Sequence, residues 1–290
     1  MFIETPAEFS FPLSLEFLKR SPRELLHKTT ETGVIKALRI QDFVVVFEVT
    51  SNDAGLNIRF LTKEPPLQVQ KAVAEYIREW FDLETDLKPF YALALKDKLL
   101  RNAATKYYGY RIVGQPDLFE SLVWAVLGQQ INLGFAYTLK QRFVQTFGER
   151  IAIGDDEYFL FPSPQTVALI TPDQLVPLQF SSQKSRYTIA IAEAFADGTL
   201  SKEKLKALPL EEAKQELMKV KGIGNWTANY ALMKTFHHPD AFPLEDAGLH
   251  NAIRNLKELK EKPTVNEVKK IFKKYKGWEA YATLYLWKTL

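Results

Sequence analysis

The first part of the chain has the alternation of apolar and polar positions that is typical of strands. The run VIKALRIQDFVVVF, residues 34–47, is rich in β-branched and aromatic residues, and LNIRFL, residues 56–61, alternates apolar with polar positions. Between them, SNDAG at residues 51–55 has the small, polar composition of a turn. These segments predict an antiparallel sheet.

Two helical signals flank the predicted strands. Ser21 and Glu24 have the spacing of a capping box and Pro22 suits the first helical position, so a short helix is predicted there. After two consecutive prolines, apolar residues recur at helical spacing at Val69, Val73, Tyr76, Ile77 and Trp80. This amphipathic helix has one apolar face to pack on the sheet. Residues 1–88 are therefore expected to form an α+β domain.

Beyond residue 88 the apolar positions follow a helical period and the strand signal fades. The pattern is carried by PDLFESLVWAVLG, NLGFAYTLKQRFVQTFG, SQKSRYTIAIAEAFADG, PLEEAKQELMKV, NWTANYALMKTF, TVNEVKKIFKKYKG and WEAYATLYLWKTL. Thr171 with Gln174, and Thr264 with Glu267, have capping-box spacing. Residues 89–290 are therefore expected to be all-α.

The composition excludes several kinds of site. The chain of 290 residues has no cysteine, which excludes disulfides, thiolate nucleophiles, cysteine-built zinc sites and iron–sulfur clusters. Four histidines are too few for a histidine-rich metal site, and a net charge of +3 is too small to identify a partner.

The chain has no long apolar run, and MFIETPAEFSFPLSLEFL at its start carries acids where a secretory signal carries Lys or Arg. We therefore expect a cytoplasmic protein with no membrane association. The lysine-rich stretch KELKEKPTVNEVKKIFKKYKGW is typical of a solvated helix face, although it can add affinity for an anionic partner.

The segment MKVKGIGNWTANYALM, residues 218–233, places a tight corner between two helical runs. A helix is predicted over residues 211–220, Lys221, Gly222, Ile223 and Gly224 reverse the chain, and a second helix begins near Asn225, a good capping residue. The glycines permit positive φ, Ile223 can anchor the corner in the core, and free N–H groups at the start of the second helix can hold a phosphate. A plain helical hairpin with a glycine C-cap is the simpler alternative.

The wider context of this corner resembles a known family. The segments PDLFESLVWAVLGQQI, FPSPQTVALI, VKGIGNWTANYALM, AFPLEDAGLHNAI and WEAYATLYLW follow one another over residues 110–290. In that order they resemble the helix-hairpin-helix (HhH-GPD) superfamily of DNA glycosylases and, within it, the AlkA-like 3-methyladenine DNA glycosylases. The resemblance implies two helical subdomains with the DNA-binding and active-site cleft between them, after a small sheet domain. It also implies a base excision repair enzyme that flips a damaged base out of double-stranded DNA.

By this resemblance Asp246 is the catalytic residue, and Trp226, Trp287 and Tyr230 line the base pocket. Breaking the C1′–N bond develops positive charge on the sugar, and one carboxylate can stabilise that charge and orient the attacking water. Asp246 also suits a helix N-cap, and Glu245 is expected to point elsewhere. Relatives that also cleave the strand have a lysine nucleophile at the position of Trp226. An indole there implies a monofunctional enzyme that releases alkylated purines such as 3-methyladenine and 7-methylguanine and leaves an abasic site.

The resemblance also assigns DNA contacts. The assigned residues are Lys221, Gly222, Ile223, Gly224 and Thr227 at the corner, with Gln129 and Gln130 in a turn that ends at a predicted N-cap, Asn132. AlkA-like members can use leucine at the position of Gln130 to fill the gap left by the flipped nucleotide, and two solvated turn residues are the alternative. The aromatic residues Trp278, Tyr281 and Tyr285 are expected to be core.

Two alternative functions stay open at this point. One is a non-catalytic helix-hairpin-helix DNA-binding protein, and the other is a glycosylase for other damaged bases, including a bifunctional enzyme for oxidised purines. No cofactor and no metal held by side chains is expected, and the carbonyl oxygens of the corner are the candidate site for a monovalent cation. We expect a monomer that binds double-stranded DNA containing alkylated bases.

Overall fold

The structure, a computed structural model, describes residues 1–290. Its strands are β1 (Phe2–Glu4), β2 (Lys28–Thr29), β3 (Gly33–Ile40), β4 (Phe43–Asn52), β5 (Gly55–Phe60), β6 (Glu149–Ile153) and β7 (Asp156–Leu160). Its helices are α1 (Phe11–Leu18), α2 (Leu67–Trp80), α3 (Lys88–Ala94), α4 (Arg101–Lys106), α5 (Leu118–Gly128), α6 (Leu133–Phe147), α7 (Pro164–Ala168), α8 (Pro172–Leu175), α9 (Ser182–Ala196), α10 (Lys202–Lys206), α11 (Leu210–Met218), α12 (Asn225–Phe236), α13 (Ala247–Leu256), α14 (Val265–Phe272) and α15 (Glu279–Trp287). Every helix falls short of the length or the hydropathy that a bilayer-spanning segment needs.

The first five strands form one antiparallel sheet in the order β1-β5-β4-β3-β2. The predicted turn before β5 is confirmed, because Asn52 Oδ1 accepts the N–H groups of Ala54 and Gly55. The run at residues 34–47 is divided between two strands. Gln41 takes φ +53°, and the chain reverses there between β3 and β4. Sequence alternation missed this turn because the apolar pattern resumes directly after it.

The helix predicted at Ser21 is wrong, and a helix that was not predicted precedes it. Residues 21–27 are irregular apart from one turn at residues 22–23, and the Ser21 hydroxyl accepts only the N–H of Arg23, two residues on. Glu24 is unavailable for a capping box because its carboxylate accepts a hydrogen bond from Lys140, 116 positions later, at 3.0 Å. The helix in this region is α1, which begins after the N-cap Ser10.

Helix α2 confirms the amphipathic prediction. Val69, Val73, Ile77 and Trp80 are buried and α2 packs beside strand β3. The predicted capping boxes at Thr171 and Thr264 are also present, each with its reciprocal side-chain bond.

A two-stranded ribbon, β6 with β7, interrupts the helical part of the chain and was not predicted. Tyr158 and Leu160 of the ribbon pack against Ala37 and Val46 of the large sheet. The ribbon is therefore an outlying part of the sheet layer, inserted between α6 and α7. Its strands are only five residues long, too short for alternation to stand out in the sequence. The boundary placed at residue 88 stays a prediction.

A buried ionic cluster joins the sheet region to the helices. Lys140 on α6 donates to Glu24 and to Glu120 on α5, each at 3.0 Å. Burial alone would raise the pKa of Glu24, but the charge of Lys140, the neighbouring His27 and hydrogen bonds from Leu26 N–H and Lys140 together outweigh burial and lower the pKa to about 2. Burial lowers the pKa of the neighbouring His27 to about 4. This cluster, with a single main core that runs from Ile3 to Leu286, fixes the N-terminal region against α5 and α6.

Candidate active site

The predicted corner is present between α11 and α12. Ile223 is buried, which confirms its anchoring role, and only Gly222 takes positive φ, at +99°, whereas Gly224 has φ −91°. A Cβ on Gly222 would lie 2.3 Å from Cγ of Tyr187. Glycine at 222 is therefore required both by backbone conformation and by close packing. We call residues 221–224 the hairpin turn.

Helix α12 begins with unpaired backbone donors. Its N-cap is Gly224, which has no side chain to accept them, and the first helical bond runs from Ala228 N to Gly224 O at 2.9 Å. The expected capping role of Asn225 is wrong, because Asn225 is the first residue of the helix and its Oδ1 accepts a hydrogen bond from Asn229 Nδ2 at 3.2 Å. Its Nδ2 donates to both carboxylate oxygens of Glu245 at 2.8 and 2.9 Å. The N–H groups of residues 225–227 are thus left to point out of the helix start, beside the exposed Lys221. Such a helix end favours anions.

The turn between α5 and α6 is tied to the hairpin turn. Gln129 Nε2 donates to Gly222 O at 3.3 Å and to Thr227 Oγ1 at 3.1 Å. The Thr227 side chain is buried, so it holds Gln129 rather than facing solvent. Gln130, at φ +56°, is exposed at the tip of the turn. Asn132 caps α6 as predicted.

Lys184 of α9 also binds the turn between α5 and α6, and the sequence analysis did not predict this role. Its Nζ donates to Val126 O at 2.9 Å and Gln129 O at 2.7 Å, which satisfies carbonyls at the end of α5. Burial lowers the pKa of Lys184 to about 8. The turn that presents Gln130 is thus anchored on two sides.

Asp246 is the centre of the site. It is the N-cap of α13, and its Oδ1 accepts the N–H of Leu249 at 2.7 Å. The same Oδ1 accepts Nε1–H of Trp287 at 2.7 Å, and Oδ2 accepts Nε1–H of Trp226 at 3.2 Å. The capping role and the proximity to both tryptophans thus coexist, while Glu245 turns away toward Asn225.

Two residues that sequence reasoning missed shape this arrangement. Asn229 on α12 accepts the N–H of Phe242 at 3.0 Å and donates to Asn225 O at 2.9 Å, so it fixes the loop that leads to Asp246. Gly248 leaves room for the carboxylate, because a Cβ there would lie 3.0 Å from Asp246 Oδ1 and 3.3 Å from Trp287 Nε1. A glycine in the first turn of a helix, two residues after an acidic cap, was the sequence signal that could have indicated this role.

Four aromatic side chains contact one another in series, beginning with Trp226, which donates to Asp246. They are Trp226, Tyr230, Trp124 and Tyr137. The rings of Trp226 and Tyr230 stack with centroids 5.3 Å apart. The Tyr230 hydroxyl accepts Nε1–H of Trp124 at 3.1 Å, and Trp124 lies 4.8 Å from the ring of Tyr137. We call these four residues the aromatic wall. The three terminal aromatics expected to be core, Trp278, Tyr281 and Tyr285, pack in the core as predicted.

Three residues of the wall, Trp226, Tyr230 and Trp124, line a cleft of about 1410 Å³ that also exposes Asp246, Trp287, Gln129 and Gln130. Its charged lining residues are Arg20, Lys234, Glu245, Asp246 and Lys288. Lys234, two helical turns after Trp226, was not expected here. It is buried, and its amine donates to Val113 O. Burial, and then the charge of Arg20, lower the pKa of Lys234 well below its usual range.

Side chains do not form a metal site, since no group of three or more His, Asp or Glu residues is suitably placed. Two carbonyl oxygens at the hairpin turn already accept hydrogen bonds. Gly222 O accepts from Gln129, and Val220 O, just before the turn, accepts from Ile223 N. Each oxygen retains one lone pair. A monovalent cation at these carbonyls stays a prediction.

Known proteins provide comparisons for the whole chain. Residues 123–277 match the family described as HhH-GPD superfamily base excision DNA repair protein, and residues 23–122 match the 8-oxoguanine DNA glycosylase N-terminal domain. The chain is 40% identical to the DNA-3-methyladenine glycosylase of Bacillus subtilis over 99% of this chain and 96% of the relative.

Two solved structures have the same fold. The 3-methyladenine DNA glycosylase of Archaeoglobus fulgidus matches with TM-score 0.85 and 21% identity, over 99% of this chain and 97% of that one. The Clostridium acetobutylicum 8-oxoguanine glycosylase/lyase in complex with double-stranded DNA matches with TM-score 0.75 and 18% identity, over 99% and 96%.

Proposed function

The chain belongs to the HhH-GPD superfamily of base excision DNA repair proteins, and we propose that this DNA glycosylase is monofunctional and acts on alkylated purines. The observation that carries the proposal is a single carboxylate, Asp246, held by the indole N–H groups of Trp226 and Trp287 at the edge of an aromatic cleft. The 40% identity to a DNA-3-methyladenine glycosylase supports the same substrate class.

The reaction requires an extruded nucleotide and a negative group near its sugar. The C1′–N bond breaks with its electron pair leaving on the base, and positive charge develops at C1′. Asp246 stabilises that charge and orients the water that adds to C1′. Its two indole donors and Leu249 N–H fix the carboxylate in one orientation, so little reorganisation is needed during the reaction.

The aromatic side chains supply the pocket for the base. Trp226 and Tyr230 present stacked rings beside Asp246, and Trp287 bounds the other side of the carboxylate. A π face attracts an electron-poor, often cationic, alkylated purine. N-alkylation also makes the base a better leaving group, so the site needs no strong acid to protonate it.

The absence of strand cleavage is proposed from the position of Trp226. An indole cannot form a Schiff base with C1′. Lys234 places an amine deeper in the same cleft, but that amine is buried and donates to Val113 O. Release of the free base and an abasic site are therefore the expected products.

DNA is held through the hairpin turn and the start of α12. The free N–H groups of residues 225–227 and the exposed Lys221 suit a phosphate, and a glycine at 224 leaves the backbone open, since nothing lies within 4 Å of a Cβ there. Exposed Gln130 is placed to enter the gap left by the extruded nucleotide and hydrogen-bond the orphaned base. The protein is proposed to act as a monomer and without a cofactor, and a monovalent cation that stiffens the hairpin carbonyls is retained as part of the proposal.

Methylated duplex DNA tests this function directly. The protein is incubated with the DNA, released bases are identified by mass, and abasic sites are converted to strand breaks with hot alkali. We expect free 3-methyladenine and 7-methylguanine, with breaks only after alkali. No breaks above background would leave a non-catalytic DNA-binding protein. Breaks without alkali, together with a covalent adduct trapped by borohydride, would show lyase activity and contradict the monofunctional assignment.

The match of residues 23–122 to an 8-oxoguanine glycosylase N-terminal domain favours a second candidate, a glycosylase for oxidised purines. Oligonucleotides that each carry one lesion separate the two. Release of 8-oxoguanine in preference to 7-methylguanine and 3-methyladenine would support the second candidate.

A further inference from the structure

The turn between α5 and α6 has a backbone conformation that suits glycine better than glutamine. Gln129 has φ −60° and ψ 127°, and Gln130 has φ +56°. These angles are close to those of a type II turn, whose third position takes positive φ and is usually glycine or asparagine. A glutamine at positive φ is strained, so the neighbouring structure must hold the turn in this form.

One peptide unit distinguishes this turn from the unstrained alternative. Rotating the unit between Gln129 and Gln130 by about half a turn converts type II into type I, in which both central residues have negative φ. The Gln129 side chain is fixed, because its Nε2 donates to Gly222 O at 3.3 Å and to Thr227 Oγ1 at 3.1 Å. The direction of the Gln129 carbonyl therefore decides the conformation of Gln130.

Lys184 holds that carbonyl toward the protein interior. Its Nζ donates to Gln129 O at 2.7 Å and to Val126 O at 2.9 Å. The residue is only 8% exposed, and both of these hydrogen bonds go to main-chain carbonyls. Because a charged donor makes a stronger hydrogen bond than a neutral one, the ammonium group opposes rotation of the peptide unit.

The planarity of the peptide unit gives this bond a second consequence. In a trans peptide the N–H points opposite to the C=O, so a Gln129 carbonyl that faces Lys184 turns the Gln130 N–H outward. That N–H donates to no protein acceptor, and Gln130 is exposed at the cleft. In the rotated turn a carbonyl oxygen would face outward instead. Since phosphate oxygens are the main hydrogen-bond partners that DNA offers, the observed orientation suits DNA and the rotated one repels it.

Resting on the function proposed above, we propose that Lys184 is a positioning residue that keeps the Gln130 N–H turned outward, as a donor to DNA at the gap left by the extruded nucleotide. The ammonium group acts through the peptide unit rather than by contacting the DNA. Without it the peptide unit rotates, because rotation relieves the strain at Gln130. The turn then presents an oxygen to the DNA.

A simple cap for the end of α5 is the alternative role for Lys184. Val126 O already accepts the N–H of Gln129 at 3.2 Å, so the last turn of α5 is closed without the lysine. The shorter of the two Lys184 bonds goes to Gln129 O, beyond the end of the helix. These contacts favour a role in the turn. The two roles also differ in a measurable way, because a cap for α5 is indifferent to the residue at position 130.

A double-mutant cycle between positions 184 and 130 tests the proposal. Dissociation constants are measured by fluorescence anisotropy for a duplex that contains a tetrahydrofuran analogue of an abasic site. Lys184→Met is made in the wild type and in Gln130→Gly, because glycine takes positive φ without strain and keeps the N–H outward on its own. We expect Lys184→Met to weaken binding about tenfold in the wild type and about twofold or less in Gln130→Gly. Equal factors in the two backgrounds would overturn the proposal.

Two further variants sharpen the test. Arg186→Met removes an exposed positive charge two positions further along α9, and its effect on binding should not depend on the residue at 130. The same dependence in Arg186→Met would overturn the proposal in favour of a general charge effect. Lys184→Gln keeps a neutral donor and repeats the cycle if circular dichroism shows that Lys184→Met is unfolded. It should show the same dependence with a smaller factor, and equal factors would again overturn the proposal.

The same measurements separate this proposal from the proposed function. A wild type that binds the abasic analogue no more tightly than an undamaged duplex would refute insertion of the turn, and with it the DNA-binding part of the proposed function. A clear preference for the analogue, together with equal factors in the two backgrounds, would refute only the role of Lys184.

Discussion

The indole nitrogen of Trp287 lies 2.7 Å from Oδ1 of Asp246, although the two residues are 41 positions apart in the chain. Trp226, on the other side, donates to Oδ2 of the same carboxylate. The carboxylate is therefore oriented by α12 and α15 together while it caps α13. Its geometry depends on the packing of three helices rather than on one motif.

Trp287→Phe should lower the rate of base release while keeping the aromatic face. The substitution removes one N–H donor to a carboxylate, and a hydrogen bond to a charged group contributes about 1.5–3 kcal/mol. We expect a loss of about tenfold to a hundredfold in the single-turnover rate on methylated DNA, with DNA affinity little changed. Trp278→Phe is the matched control, because Trp278 packs beside Phe90 and makes no side-chain hydrogen bond to Asp246. Equal losses in the two variants would show that only packing is involved.

Gly248→Ala should separate stability from activity. A methyl group at 248 would lie 3.0 Å from Asp246 Oδ1 and 3.3 Å from Trp287 Nε1, so the carboxylate or the indole must move. Alanine in a helix is otherwise favourable by about 0.5–1 kcal/mol relative to glycine. We expect an unchanged or higher melting temperature with about a tenfold slower base release.

Gly134→Ala is the control for this substitution. Gly134 also follows an Asn or Asp cap by two residues, and its Cβ would meet only Asn132 Oδ1 at 3.4 Å. Base release should be unchanged in Gly134→Ala. Full activity in Gly248→Ala would contradict the tight fit inferred around Asp246.

The sequence predicted this site only in part, and the reason is the range of its contacts. The hairpin turn and Asp246 are local signals, because a glycine corner and an acidic cap are visible within a few residues. The bonds that orient the carboxylate join residues far apart, so no spacing indicates them. Gly248 is an example. A Cβ at this position would lie 3.3 Å from Nε1 of Trp287 on another helix, and no local pattern in the sequence indicates that contact.

Glu245→Gln should increase the affinity for DNA. The Glu245 carboxylate is exposed beside the start of α12, where it accepts two hydrogen bonds from Asn225. Removing its charge relieves repulsion of the phosphate proposed to bind there, while glutamine can still accept from Asn225. We expect dissociation constants about twofold to threefold lower at low ionic strength. The gain should shrink as salt is raised, since added ions screen exposed charges. A gain that is independent of salt, or no gain, would place the phosphate elsewhere.

The buried cluster at Lys140 should make the fold sensitive to acid. His27 has a pKa of about 4 in the fold against 6.5 when unfolded, so the unfolded chain binds more protons between these values. Glu24 has a pKa of about 2 in the fold against 4.5 when unfolded, so the unfolded chain also binds more protons between these two lower pH values. The free energy of unfolding should therefore fall as pH decreases from about 6.5 to about 2.

His27→Gln isolates the upper part of this window. Glutamine can still donate to Leu18 O, the partner of His27 Nε2, but it does not titrate. In the wild type, protonation of His27 should lower the free energy of unfolding by on the order of 2 kcal/mol between pH 6.5 and 4. We expect this contribution to be missing in the variant. Denaturant titrations at several pH values measure it. A slope identical to that of the wild type would contradict a buried neutral His27.

The N-terminal region shows why some sequence predictions were wrong. Ser21 and Glu24 have ideal capping-box spacing, yet Glu24 pairs with Lys140 on a distant helix instead. Arg20 and Lys234 were not singled out because nothing near them in the chain indicates a cleft. The long helices were predicted correctly because each buries its own periodic face, which the sequence alone records.

Asp246→Asn provides the most direct test of the central claim, that one oriented carboxylate carries the chemistry. Asparagine is nearly isosteric, and its oxygen can still accept one of the indole N–H groups, so folding and binding of methylated DNA should persist. The measurement is the single-turnover rate of base release with saturating enzyme, so that binding does not limit it. We expect a loss of at least about a hundredfold, because the variant lacks the charge that stabilises the sugar cation. A rate within threefold of the wild type would show that Asp246 is not the catalytic group.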